Sequence, residues 1–422
     1  MSDWPIESLH DKISIKHGFP FKSEFFSEHE TNYIVLTPGN FFEQGGFKRQ
    51  AGKEKFYTGG IPEDYLHRKN DLIVAMTEQA AGLLGSCARV PESGVYLHNQ
   101  RLGLIRANPE KVSLEFIYHL FKTKTVREQI RASSSGSKVK HTSPERIYDV
   151  KVPFPSLDEQ KKIAKFLDVI EQKIELNNKI NAELEAMAKL IYDYCFVQFE
   201  FPDANGNPYK SSGGKMVYNL ELKRDIPEGW RVETLGNVES NIVTGKTPST
   251  KKTENFNGKI PFICIGDVRG NMHVTKAELS LSDIGAESQS NKYIPEGAIC
   301  VTCIASPGLV GFATEKSQTN QQLNTVVCDK FENRYYLYFY LKDYFRFATA
   351  KSGNTFANMS KGDFSDIKVI QPSSELLKLF SEKLKPSIEK ILVNSRENNK
   401  LIELRDWLLP MLMNGQVSIE TK

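Results

Sequence analysis

Two stretches of this chain, "DVKVPFPSLDEQKKIAKFL" (149–167) and "DIKVIQPSSELLKLFSEKL" (366–384), pass through the same succession of short apolar strand, proline and long helix. Asp149/Asp366, Lys151/Lys368, Val152/Val369 and Pro155/Pro372 all stand at one offset of 217. An internal repeat constrains architecture more than composition does, because each copy has to fold by the same rules. The repeat reaches far upstream. "WPIESL" (4–9) matches "WRVETL" (230–235), Gly39-Asn40 matches Gly266-Asp267, and "DLIVAMT" (71–77) falls on "AICVTCI" (298–304). Gly82 and Gly85 fall on Gly308 and Gly311, "HNQRL" (98–102) on "TNQQL" (319–323), and "SGS" (135–137) on "SGN" (352–354). The offset drifts from about 227 to 217, as two copies with different loop insertions would show.

Each copy reads as a mixed α/β body followed by one long helix. Short β-rich runs such as "YIVL", "LIVAM" and "AICVTCI" alternate with Gly, Pro and Asn turns, which suits a strongly bent sheet. A helix is predicted over 113–130 in the first copy and over 334–350 in the second. Between the copies, "PDANGNPYKSSGGK" (202–215) has the composition of a linker or an exposed hairpin. The expected division is a first body over 1–155, a central helix over 156–199 and a linker over 200–226. A second body over 227–372 and a distal helix over 373–416 complete it. The fold class is α+β.

The central helix carries its own start signal. Ser156 and Glu159 fit a capping box, and Pro155 discourages helix just outside it. A 3-4 apolar rhythm then runs Ile163, Phe166, Ile170, Ile180, Leu184, Met187, Ile191, Tyr194, interrupted by Lys173 and Asn177. The second copy runs Phe380, Leu384, Ile388, Ile391, Leu401, Leu404, Leu408, with Asn394 in its gap. A helix of roughly 40 residues is about 60 Å long, so each stripe needs a partner, and the other copy is the nearest. Antiparallel pairing as a coiled coil would separate the bodies, create a pseudo-two-fold axis and bring Asn177 near Asn394, where buried polar residues fix register. The competing arrangement packs each helix on its own body.

Other properties bound the class. A chain of 422 residues, 40% hydrophobic and 25% charged, holds two or three ordinary globular domains. It has no apolar run of about 18 residues and starts without a signal-peptide pattern, so neither a membrane span nor export is expected. Six scattered cysteines suit a reducing cytoplasm. A net charge of +3 permits a nucleic-acid partner without demanding one.

Two bodies related by a pseudo-dyad match the local two-fold symmetry of B-DNA, whose half-sites lie about 34 Å apart or more. Because the bodies differ in sequence, the half-sites should differ too, with unread bases between. Candidate contacts with double-stranded DNA lie in polar loops. In the first body they are Lys48, Arg49, Gln79, Ser137, Lys138, Lys140 and His141. In the second they are Lys246, Thr247, Lys251, Lys252, Arg269, Lys351, Asn354 and Asn358. These side chains suit phosphates or base edges, while any single lysine could equally be a solvated surface charge.

Several segments resemble the specificity subunits of Type I restriction–modification systems. "PSLDEQKKIAKFLDVIEQKI" (155–174) is similar to the pattern that opens that family's central helix, and "IPEGW" (226–230) to the start of its second target-recognition domain. "TGKTPS" (244–249), the two Asn-Gln pairs and "LLPMLMNGQV" (408–417) add to the likeness, which spans nearly the whole chain. The resemblance implies a non-catalytic subunit with two target-recognition domains that read a split DNA sequence. It implies two methyltransferase subunits and further restriction subunits as partners. S-adenosylmethionine, ATP and Mg²⁺ would then sit on those partners, leaving no cofactor in this chain. Glu159 and Gln160 become candidates for docking a methyltransferase subunit. The second copy has Leu376-Leu377 at the matched positions, so the two docking sites need not be equivalent.

Enzyme motifs are weak. "NPY" (207–209) lacks the second proline of an adenine-methyltransferase motif and has no Gly-rich cofactor loop. Asp203 with Glu221 and Lys223 mimics a nuclease metal motif, but the linker composition lies between them. Cys300 and Cys303 point to opposite faces of a strand, no histidine spacing suits a metal, and no catalytic residue is assigned.

Overall fold

The strand before the proline finds its partner at the start of the same copy. Ile6–Ser8 pairs antiparallel with Lys151–Pro153, and Arg231–Thr234 pairs antiparallel with Lys368–Gln371. The matched "WPIESL" and "WRVETL" segments therefore close each body where its long helix departs. The computed structural model describes residues 4–137, 139–352 and 358–420. The chain falls into two units, Met1–Lys173 with Leu401–Lys422, and Ile174–Lys400. Each long helix thus contributes residues to both units.

In the first unit an antiparallel sheet runs in the order Ile13–His17, Leu102–Ala107, Leu72–Ala75, Cys87–Arg89. Leu72, Ile73, Val74 and Ala75 are completely buried, so the run reads as continuous apolar rather than alternating. A second four-stranded sheet holds Phe26–Ser27, Phe56–Tyr57, Ile34–Leu36 and Tyr96–His98. The helix expected over 113–130 is two helices, Leu114–Leu120 and Lys124–Ala132. Thr123 makes the break: its hydroxyl donates back to the Leu120 carbonyl at 2.7 Å and accepts from Val126 N, capping the second helix.

In the second unit the same four strands recur in the same order, Ile242–Thr244, Leu323–Val326, Ile299–Thr302, Val310–Ala313, with His273–Val274 added at the edge. The aromatic-rich segment is a single helix, Asn333–Ser352, whose Tyr336, Tyr338, Phe339 and Phe345 are buried. The segment over 200–226 is a hairpin, Met216–Asn219 against Arg224–Pro227. It is not slack, because Phe201 stacks on both Tyr209 (4.6 Å) and Trp230 (5.1 Å).

The long helices span Leu157–Tyr192 and Ser374–Met413. Ser156 N donates to Glu159 Oε2 at 3.2 Å and Glu159 N to Ser156 Oγ at 3.4 Å, the reciprocal cap expected there. In the first unit, Ile163, Ala164 and Leu167 share a core with Leu409, Leu412 and Met413. In the second, Ala188, Tyr192 and Phe196 share one with Leu377, Phe380, Leu384 and Ile388. Each body is thus sealed by the start of its own helix and the end of the other copy's. The single 3-4 stripe is incomplete for that reason, since a helix covered by both a body and a helix buries two faces. Phe166, Met187 and Tyr194, expected inside, are exposed, and Ala164, Leu167, Ala188 and Tyr192 point inward instead. Among the described residues, no helix is long and apolar enough to cross a membrane.

Candidate nucleic-acid interface

Both units build the same junction from three distant segments. In the first, Met76 N donates to Arg101 O (2.9 Å) and Thr142 N donates to Met76 O (3.0 Å). In the second, Cys303 N donates to Gln322 O (2.8 Å) and Met359 N to Cys303 O (3.0 Å). The end of the central strand therefore lies between the Asn-Gln loop and the residues that follow the Ser/Gly loop. A fourth segment joins them through a glycine. A Cβ on Gly18 would stand 1.8 Å from Asn99 O, and one on Gly245 would stand 2.0 Å from Asn320 O. Only glycine allows that approach, which seats "GFP" and "GKTP" against the two Asn-Gln loops.

This junction gathers part of the expected contact set. In the first unit Gln79, Ser137 and His141 are exposed and Lys140 half-buried. Glu78 N donates to Lys140 O at 2.9 Å, and the Thr77 hydroxyl lies 3.2 Å from His141 Nδ1. Lys48 and Arg49 are exposed but held by other groups: Arg49 lies 3.8 Å from Glu92, and Lys48 lies over the Phe42 ring. In the second unit Lys246 is exposed, with its N donating to Thr319 O (2.9 Å) and its O accepting from Gln289 Nε2 (2.7 Å). Thr247 is half-buried and donates to Gln321 Oε1. Lys251, Lys252 and Asn358 are exposed, and Arg269, also exposed, reaches Ser306 Oγ at 3.3 Å. Lys351 belongs to the last turn of Asn333–Ser352, while Lys138 and Asn354 lie outside the described residues. Gln100, Arg101 and Gln321 are exposed at the junction and were absent from the sequence-based set. The matched Asn-Gln pairs were the signal for them.

The docking candidates separate. Glu159 is spent on its helix cap. Gln160, expected at a partner surface, is only 1% exposed. Its Oε1 accepts from Ser113 N (3.0 Å) and its Nε2 donates to Pro155 O (3.0 Å) and Lys111 O (3.3 Å). A buried amide satisfied on both sides is a structural bolt, so Gln160 offers a partner no surface.

The groups with catalytic or metal chemistry are also engaged. Asp203 Oδ1 accepts from Asn205 N and Asn207 N, whereas Glu221 pairs with Lys368 at 2.7 Å. Tyr209 stacks on Phe201 and donates to Lys215 O. Burial pushes the Cys300 thiol up to about 12 and that of Cys303 to about 11, so both stay protonated. His119, Asp168 and Glu171 cluster with the donor types of a metal site. Cations already occupy it: Arg89 donates to Asp168 at 2.8 Å, Lys122 pairs with Glu171, and Arg405 stands 3.9 Å from Glu171. Burial raises and the His119 and Arg89 hydrogen bonds lower the Asp168 pKa, and the net shift is downward.

The family described as the Type I restriction modification DNA specificity domain matches this chain twice, over residues 1–186 and 227–403. The HindI specificity subunit of Haemophilus influenzae, a Type I restriction enzyme component, is 29% identical over 379 residues, covering 76% of this chain and 81% of that protein. The MjaIX specificity subunit of Methanocaldococcus jannaschii is 27% identical over 320 residues, covering 72% and 69%. The S subunit of the Type-I restriction-modification system of M. genitalium shares the fold, with a TM-score of 0.58 at 16% identity over 100% of this chain and 97% of that one. The doubled match falls on the two copies of the repeat, and the chain belongs to the Type I restriction modification DNA specificity family.

Proposed function

We propose that the chain is the DNA-reading subunit of a Type I restriction–modification complex. Each body reads one half of a bipartite, asymmetric target. The observation that carries this reading is the junction built twice from the same segments with different side chains at matched positions: Phe19, Arg101 and His141 in one copy, Lys246, Gln322 and Asn358 in the other. A shared frame with unlike polar tips suits two unlike half-sites.

The long helices act as an antiparallel coiled-coil spacer between the readers. Supporting this, Asn177 bonds Asn398 while Asn181 bonds Asn394, so one helix ascends as the other descends. Two methyltransferase subunits dock on the outward helix faces. Met187 and Leu190 on the central helix stand at offset 217 from Leu404 and Trp407 on the distal one, and all four are exposed. Apolar side chains such as Leu190 and Trp407, 69% and 59% exposed, favour a protein cover. Restriction subunits complete the assembly. S-adenosylmethionine, ATP and Mg²⁺ belong to the partners, and this chain is non-catalytic. A self-contained nuclease or methyltransferase, or a scaffold without DNA, fits less well, because Asp203, Glu221 and Tyr209 are committed to local contacts.

The test is exchange of residues 1–150 for the same segment of a related subunit, followed by mapping of methylated sites in the assembled complex. One half of the target should change and the other persist. A swap that alters both halves overturns independent reading, and methylation by the chain alone overturns the non-catalytic assignment.

A further inference from the structure

The two junctions share a frame but seat their positive charge differently. Asn99 Oδ1 accepts from Arg101 N at 3.0 Å, and Asn320 Oδ1 accepts from Gln322 N at 3.0 Å, the same Asx turn in both copies. The carbonyls of the same two residues accept from the central strand, Arg101 O from Met76 N (2.9 Å) and Gln322 O from Cys303 N (2.8 Å). Each position is therefore clamped on both sides of its backbone. On this common base the side chains part. Gln322 is half-buried and folds back, its Oε1 accepting from Asn320 Nδ2 at 3.0 Å. Arg101 is exposed, and among the described residues its guanidinium has no ion pair and no hydrogen bond. By contrast Arg89 pairs with Asp168, Arg106 pairs with Asp71, and Arg127 donates to Leu84 O, so those cations hold the body together.

The glycine segments reverse this arrangement. Phe19 follows Gly18, whereas Lys246 follows Gly245. Phe19 is half-buried and meets Phe21 edge-on at 5.2 Å. Lys246 is exposed, and its ammonium has no partner among the described residues. An unpartnered cation thus stands on the Asn-Gln loop in one copy and on the glycine segment in the other. Phosphate contacts position a protein without carrying sequence information, and the DNA backbone repeats alike in both half-sites. A shared frame would therefore keep a phosphate-gripping cation in one seat. A cation that changes seat answers to bases, because the donors and acceptors of the major groove change with sequence. Arg101 presents a planar fork of N–H donors and no acceptor, which matches the O6 and N7 acceptors of guanine. Adenine places an N6 donor where guanine has O6, so it opposes one arm of the fork.

We propose, resting on the DNA-reading assignment above, that Arg101 determines specificity in the first half-site by reading a guanine. Methylated-site mapping of the assembled complex gives the target, and exchange of residues 1–150 shows which half belongs to the first body. Binding of the complex is then measured on targets that carry 7-deazaguanine at one guanine of that half at a time, a change that removes N7 and keeps the base pair. At one position the substitution should weaken the unaltered complex about tenfold. Arg101→Gln should weaken binding of the natural target by about tenfold or more, and the same 7-deazaguanine should then cost nothing further. The Tm of this variant should match that of the unaltered chain, because the guanidinium holds nothing in the body. A variant that weakens all targets alike and lowers the salt slope by about one marks a phosphate contact and overturns the proposal. A first half-site without guanine, a variant that binds as the unaltered complex does, or a marked fall in Tm overturns it as well. A complex that shows no sequence preference at all removes the DNA-reading assignment itself, and this proposal with it.

Discussion

Asn177 of the central helix donates through Nδ2 to Oδ1 of Asn398 on the distal helix at 2.9 Å. The sequence had pointed to Asn394 as its partner. That residue instead donates to Asn181 Oδ1 at 2.8 Å, one helical turn along, and Asn398 donates onward to Asn178. Asn177, Asn394 and Asn398 are all buried, so a slip of either helix by a turn would strand amides in an apolar seam. Asn177→Leu should lower stability by about 1–3 kcal/mol in urea unfolding, because it leaves buried groups unmatched. The double change Asn177→Leu with Asn398→Leu should recover most of that loss, and a neutral single variant would show that the amide layer does not hold the register.

Insertion of four residues after Asn181 adds about 6 Å of helix and about 40° of rotation. It displaces Leu184, Ala188 and Tyr192 from the core they share with Phe380 and Leu384. The expected outcome is a preferred DNA spacer altered by one or two base pairs, or loss of binding. Insertion after Asn205, in an exposed turn, should leave spacing and affinity unchanged. Methylated-site mapping of both variants compares them directly, and an unchanged spacer at full activity in the first would end the ruler reading.

The paired glycines offer a test that separates the two readers. Gly18→Ala and Gly245→Ala each force a Cβ against a backbone carbonyl that cannot swing aside. Each should cost about 1–3 kcal/mol through local backbone displacement. Discrimination should fall at one half-site only, the first for Gly18→Ala and the second for Gly245→Ala, in binding assays with singly substituted targets. Equal loss at both halves in either variant would contradict local reading.

Stability should also fall in mild acid. His98 is buried, 3.0 Å from His67 Nε2 and 3.3 Å from Lys16 O. Burial, reinforced by His67, lowers its pKa to about 3. An unfolded histidine binds a proton near pH 6.5, so the neutral folded ring stabilises the protein above that pH and the contribution disappears as pH falls toward 3. The slope for one such group is about 1.4 kcal/mol per pH unit. Asp71 shows the opposite chemistry: burial would raise it, but hydrogen bonds from His67, Arg68 N and Arg106 hold it at about 2, so it stays charged across this window. Urea unfolding between pH 7 and pH 4 should show the slope, and His98→Gln should reduce it, leaving the part that buried His119 and His273 contribute through their own lowered pKa values. An identical slope in the variant would assign the acid sensitivity elsewhere.

Local signals were legible because they act over a few residues. Ser156 and Glu159 announced a cap that forms by their own reach, and the 217 offset announced two bodies and two helices before any contact was known. Which side of each helix faces inward was not legible, since Ala164, Leu167, Ala188 and Tyr192 are buried in cores that include residues well over a hundred positions away. Gln160 shows the same limit: a polar residue beside a surface glutamate reads as exposed until Ser113 N and Lys111 O close over it. The candidate interface lay between these extremes. The repeat marked the Asn-Gln, Ser/Gly and glycine segments one by one, but a linear pattern carries no distance. Only the hydrogen bonds that join Met76 to Arg101 and Thr142, and Cys303 to Gln322 and Met359, decide that the segments meet.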